Sequence, residues 1–142
     1  MSQATRLYTP QLLALAVELA DYPYDPEAEL IGGARSPTCG SRVELSLTVV
    51  DDAIGEVGIR CQACAVGQAA AAIFAGGAPG ANATAIDAAL DQISAWTQGG
   101  ALPRWAGFEA LAAAQDHPGR HGAVLLPWKA ARAALCSRAP AR

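Results

Sequence analysis

The sequence predicts an α+β fold, with a small antiparallel sheet of about three strands packed on one face by several helices. Three observations carry this expectation. Val43, Leu45, Leu47 and Val49 alternate with Glu44, Ser46 and Thr48, the period of a half-buried strand. Leu12, Leu13, Ala16, Leu19 and Ala20 recur at helical spacing, as do Ala88, Leu90, Ile93 and Trp96. The 142 residues are 52% hydrophobic, enough to bury a core without crosslinks, so one domain over residues 1–142 is expected.

Taken in order, Thr9-Pro10 reads as a helix N-cap followed by proline at the first helical position, and the helix stops near Asp21-Tyr22-Pro23. Glu29 to Arg35 is a glycine-interrupted strand. After Arg42 comes the alternating strand, then a turn over Asp51 to Gly55, where Asp51 and Asp52 are turn formers. The return strand places Val57, Ile59 and Cys61 on one side and Glu56, Gly58 and Arg60 on the other. A helix follows from about Ala63 to Gly76-Gly77, with small side chains at Ala69 to Ala72. Thr84 to Asp87 has capping-box spacing and opens a helix that Gly99-Gly100 closes. A short helix spans about Gly107 to Ala114. Asp116 to His121 breaks the chain, and a last helix runs near Pro127 to Leu135.

Composition narrows the function classes. A net charge of -3 and an isoelectric point near 5.2 argue against a nucleic-acid or anionic-membrane surface. Met1 to Arg6 lacks the charged-then-apolar order of a signal peptide, Glu18 interrupts Leu12 to Ala20, and no apolar run reaches bilayer length. A cytoplasmic protein is expected, whose four cysteines are free thiols, ligands or redox groups. There is no Gly-x-Ser-x-Gly elbow, and no glycine pair sits between a strand and a helix as a phosphate cradle would.

The chemistry therefore rests on thiols. Cys64 opens a helix, where unpaired N–H groups and the positive dipole end favour thiolate. Cys39 sits in the loop Ser36-Pro-Thr-Cys-Gly40, one hairpin away, so the two can meet. Cys61 completes a Cys-x-x-Cys pair with Cys64, yet its parity with Val57 and Ile59 gives it a core position. Cys136 ends the last helix without a partner. His121 is either a ligand, since neutral imidazole suits zinc or iron, or a surface or capping residue. His117, before Pro118, is a turn residue.

Three segments resemble the iron–sulfur cluster assembly scaffold family of the IscU, SufU and N-terminal NifU type. Ser36-Pro-Thr-Cys-Gly40 resembles its Asn-Pro-x-Cys-Gly-Asp. Cys64-Ala-Val-Gly-Gln-Ala-Ala-Ala-Ala-Ile-Phe74 resembles its Gly-Cys-x-Ile-Ser-x-Ala-Ser-Ala-Ser run. Arg120 to Lys129 resembles its Arg-x-x-Cys-x-x-Leu-Pro-Trp segment. The resemblance implies an IscU/SufE-like fold and a non-enzymatic scaffold or sulfur acceptor. Such a protein takes sulfur from a cysteine desulfurase, builds a [2Fe-2S] cluster with iron, or binds zinc, and serves client proteins. Cys39 and Cys64 would be the ligands or persulfide carriers, with Leu125 to Trp128 as a wall of the site.

The sequence departs from that pattern at two ligand positions, Ser41 for the aspartate and Ala123 for the third cysteine. A tetrahedral zinc or a cluster needs about four donors. Cys61 could join, His121 could substitute, or two protomers could pool their thiols; otherwise the metal site is lost. Two alternatives stand beside the scaffold: a divergent paralogue that binds a desulfurase or client without a cluster, and a Cys61/Cys64 thiol redox protein. Monomer and homodimer are both left open.

Overall fold

The computed structural model describes residues 7–37 and 40–137. Helix α1 covers Pro10–Glu18 and tightens into a 3₁₀ turn over Leu19–Asp21. Thr9 Oγ1 accepts the Leu12 N–H at 3.1 Å, and Pro10 sits where a missing N–H costs nothing. Strands β1 (Leu30–Arg35), β2 (Arg42–Val50) and β3 (Ala53–Gln62) form one antiparallel sheet in the order β1-β2-β3. Val43 faces Cys61, Leu45 faces Ile59 and Leu47 faces Val57, so the residues that the alternation put on one side share the core face of the hairpin.

The hairpin turn is tighter than the expected Asp51 to Gly55. Asp51 and Asp52 have φ of 52° and 65°, and Val50 already pairs with Ala53. Two left-handed residues match the twist of the flanking strands, and aspartate tolerates that conformation better than most side chains. Of the other residues assigned to the turn, Ala53 and Ile54 pair with Val50 and Val49, and Gly55 falls at a bulge, since Leu47 faces Val57 but Val49 faces Ile54.

Helices α2 (Ala65–Gly77), α3 (Ala83–Thr97) and α4 (Pro118–Cys136) follow, with a 3₁₀ segment over Phe108–Asp116 before α4. Two expectations are corrected here. The cap of α3 is Asn82, whose Oδ1 accepts the Ala85 N–H at 2.9 Å, so Thr84 lies inside the helix; Asn caps at least as well as Thr and comes first in the chain. Helix α4 starts nine residues earlier than expected, with Pro118 as a helix starter and Pro127 in its interior. At the other end of α3, the N–H of Gly100 reaches the Ala95 carbonyl and that of Gly99 the Trp96 carbonyl, a Schellman closure with Gly99 at φ 94°.

The core lies between the sheet and the helices. A Cβ on Gly32 would sit 2.4 Å from the Ala134 nitrogen and 2.5 Å from the Ala130 oxygen, so the backbone of α4 rests directly on β1. Phe74 of α2 stacks on Trp105 at 5.7 Å, and Trp128 of α4 meets both edge-on at 5.6 and 5.4 Å. Trp105 Nε1 donates to the Ile73 carbonyl at 2.9 Å. Among the described residues, no helix is long and apolar enough to cross a membrane.

Candidate functional site

The first turns of α2 and α4 converge on the end of the sheet where β2 begins and β3 stops. A cleft of about 250 Å³ opens there. One wall is the loop before β2, closed by the Ser36 N–H to the Ser41 carbonyl (2.9 Å) and the Gly40 N–H to the Ser36 carbonyl (3.0 Å). Gly40 and Ser41 line the cleft from this side, Gly40 at φ 74°. Arg42 Nη2 donates to Gln62 Oε1 at 3.0 Å and ties the loop's exit to the end of β3.

The floor is the passage from β3 into α2, with Gln62, Ala63 and Cys64 on the cleft. Cys64 is the N-cap of α2, in extended conformation, and its side chain accepts no capping hydrogen bond. The helix starts on its carbonyl instead, which takes the Gln68 N–H at 2.9 Å, while Gln68 Nε2 holds the Ala63 carbonyl at 3.0 Å. Helix α4 supplies the last wall through Gly119, Arg120 and Ala123. A Cβ on Gly67 would lie 2.6 Å from the Ala63 Cβ and 3.3 Å from the Ala123 Cβ, so its absence lets α2 and α4 approach. Arg120 Nη2 donates to the Tyr8 hydroxyl at 3.1 Å.

Of the thiols named from the sequence, Cys64 lines the cleft. Cys39 lies outside the described residues; its chain neighbour Gly40 lines the cleft. Cys61 does not line it. The residue is half-buried opposite Val43, and its thiol is pushed up to about 11, first by burial and then by the neighbouring Cys64 thiolate. Cys136 is exposed at the far end of α4.

His121 is also not a lining residue. Its Nε2 lies 3.0 Å from the carbonyls of both Ala114 and Gln115, and its ring packs on Trp96 at 5.8 Å, so it closes the 3₁₀ segment. The wall expected from Leu125 to Trp128 is likewise corrected. Because α4 begins at Pro118, the cleft wall falls at Gly119 to Ala123, and Trp128 is fully buried in the aromatic core.

Gln62 and Arg120 belong to the cleft without having been singled out as site residues. Arg120 stood in the third resemblant segment. Once α4 is extended back to Pro118, helical spacing places Gly119 and Arg120 beside Ala123.

The donor set can be tested against a metal or cluster. The described lining residues offer one thiol, a serine hydroxyl and a glutamine amide, and Arg120 adds a cation beside them. Among the described residues, no group of three or more His, Cys, Asp or Glu could hold a metal. A tetrahedral shell takes about four donors. The described residues do not fit the metal or cluster that the family pattern implies.

No family model matches the sequence, and no curated protein matches it. Solved structures do. A nitrogen-fixing NifU-like protein (N-terminal) from Brucella abortus is 25% identical over 95% of this chain and 96% of its own, with a TM-score of 0.86. A putative iron–sulfur cluster assembly scaffold protein for the SUF system from Fervidobacterium islandicum AW-1 is 19% identical over 91% of this chain and 96% of its own, at 0.80. A hypothetical protein is 21% identical over 88% and 96%, at 0.72. The α+β fold with its three-stranded sheet is the fold of the NifU-like protein, and the resemblance to the IscU, SufU and NifU scaffold type holds in structure as in sequence.

Proposed function

We propose that this protein serves iron–sulfur cluster assembly as a non-enzymatic sulfur acceptor of the scaffold type, one domain over residues 1–142, with Cys64 as its working thiol. The observation that carries this reading is the cleft. The loop with Gly40 and Ser41, the start of α2 at Cys64, and the start of α4 at Arg120 and Ala123 are the three resemblant segments, and they come together at one place. The NifU-like and SUF-system neighbours carry the same fold over nearly their whole length. Cys39, which precedes the lining residue Gly40 in the chain, is proposed from its motif as a second thiol.

The partner on this reading is a cysteine desulfurase, which presents sulfur as a persulfide, and the products pass to client proteins. The cluster-free paralogue is supported by Ser41 and Ala123, which remove two of the family's ligands. The Cys61/Cys64 redox pair is weakened by the setting of Cys61, whose proton is held to about 11 on the core side of β3.

The test is sulfur transfer from isotopically labelled cysteine by a desulfurase. Label is expected on wild type and Cys61→Ala but not on Cys64→Ala. Absence of label on wild type, or full labelling of Cys64→Ala, overturns the reading.

A further inference from the structure

The cleft departs from a metal site in charge as well as in number of donors. Where the family pattern has aspartate and cysteine, this chain has Ser41 and Ala123, so two negative charges are gone. The positive side is intact. Arg120 lines the cleft, and a guanidinium cannot lose its charge under ordinary conditions. One of its five N–H groups goes to the Tyr8 hydroxyl at 3.1 Å, which holds the side chain while leaving further donors.

The backbone adds to the same sign. Helices of 13 and 19 residues both start at the cleft, and neither Cys64 nor His117 caps its helix with a side-chain hydrogen bond. Their first N–H groups contribute partial positive charge, and Gln62 adds an amide. A divalent cation placed here would meet a fixed positive charge within the same small volume. An anion would meet compensation from two walls.

We propose that the cleft holds sulfur without metal: an anionic persulfide on Cys64, countered by the Arg120 guanidinium. This rests on the sulfur-acceptor reading above and adds that the counter-charge at the site is the Arg120 guanidinium and not a metal. The cleft of about 250 Å³ is several times the roughly 30 Å³ share of one water molecule, so the end of a donor chain enters with its sulfur.

The step balances without an added oxidant. The Cys64 thiolate attacks the outer sulfur of the donor hydropersulfide, R–S–SH. The donor S–S bond breaks, R–S⁻ leaves with the electron pair, and Cys64–S–SH forms. The transferred sulfur keeps its oxidation state and its proton. When that proton is lost, the anionic terminal sulfur is the charge that Arg120 meets. Arg120 acts here as a positioning residue.

The experiment exposes the purified full chain to glutathione hydropersulfide, with and without a strong chelator, and reads sulfur addition by intact-protein mass spectrometry and bound zinc and iron by elemental analysis. In a Cys39→Ser/Cys136→Ser background, the chain is expected to gain one sulfur, absent when Cys64→Ser is added, at the same rate with chelator and with no stoichiometric metal after incubation with zinc or ferrous iron. Arg120→Gln is expected to load roughly tenfold more slowly, the scale of losing one charge-assisted contact, with most of the rate returned by Arg120→Lys. Far-UV circular dichroism checks the variants' fold, and the chelator arm needs no variant.

Metal bound at one per chain, with loading that fails when it is chelated, overturns the metal-free site but leaves the sulfur-acceptor reading standing. Unchanged loading in Arg120→Gln overturns the role of the arginine and with it the proposal. No sulfur on the wild type from either glutathione hydropersulfide or a desulfurase overturns both readings together.

Discussion

The two ends of α4 obey different rules. From Trp128 to Ala134 the helix is built for packing: Trp128, Ala130, Ala131 and Ala134 are all buried, and its backbone touches β1 where Gly32 leaves no side chain. From Pro118 to Ala123 it begins with a proline, carries Gly119 and Gly122, and faces the cleft. Pro127 stands between them and has no N–H for the carbonyl four residues back, so the hydrogen bond it removes is the one to Ala123. The packing end keeps the Leu-Pro-Trp of the family pattern, whereas the cleft end has lost that pattern's cysteine. Alanine at this position is buried beside Gly67, so the wall of the cleft stays packed without a thiol.

The contrast is broken if changes at the two ends cost the same. The largest effect is expected for Gly32→Val. Its branched side chain would collide with the main chain of α4 at Ala130 and Ala134, which cannot rotate away as a side chain can. The expected loss is on the order of 4 kcal/mol or more, read as a fall in the denaturation midpoint. Next comes Trp128→Ala. It empties the space between Phe74, Trp105 and Phe108 and should cost roughly 3–5 kcal/mol, with Cys64 still able to take sulfur if the chain is assayed below its new melting point. A Trp128→Ala protein that stays folded but accepts no sulfur would mean that the two ends are coupled.

What could be read from the sequence follows the same division. The core side of the hairpin was legible because Val43, Leu45 and Leu47 are fully buried on it, and a one-residue slip would expose all of them; the register was not, because the turn closes at Asp51-Asp52 and a bulge follows. Cys64 was legible because the strand-to-helix junction is local. The start of α4 was not. Gly119, Gly122 and Pro127 each lower helix propensity, and burial of Ala123 and Val124 against neighbouring elements overrides them. With that start misplaced, Arg120 was read as part of a loop and its place in the cleft was hidden. The setting of His121 was hidden for another reason: its carbonyl partners at Ala114 and Gln115 close a 3₁₀ segment whose end no local pattern marks.

A smaller effect separates the two cysteines of the Cys-x-x-Cys pair. Burial and the Cys64 thiolate lift the Cys61 thiol from 9.0 to about 11. Because the raised group keeps its proton longer in the folded chain than in the unfolded one, its stabilising contribution is complete below pH 9.0 and is lost as pH climbs through about 11. Cys61→Ser should flatten the alkaline limb of the stability curve. A limb of unchanged slope in that variant would assign the alkaline loss to other groups.

The smallest effect on stability, and the one that most sharpens the contrast, is expected for Ser41→Asp combined with Ala123→Cys. Both positions line the cleft, but their present side chains are buried, Ser41 7% and Ala123 1% exposed, and the Ala123 Cβ stands 3.3 Å from where a Gly67 Cβ would be, so the longer side chains must turn toward the open side of the cleft. The pair should cost roughly 1–2 kcal/mol, under either core change. Its chemical effect should be large, because the carboxylate and the thiolate restore two anionic donors next to Cys64 and offset Arg120. Zinc titrated into the double variant should then bind at one per chain and raise the melting temperature with the logarithm of free zinc concentration, while the parent's stays flat. If the double variant remains metal-free, the missing donors are not what separates this cleft from a metal site, and Arg120 becomes the group to neutralise next.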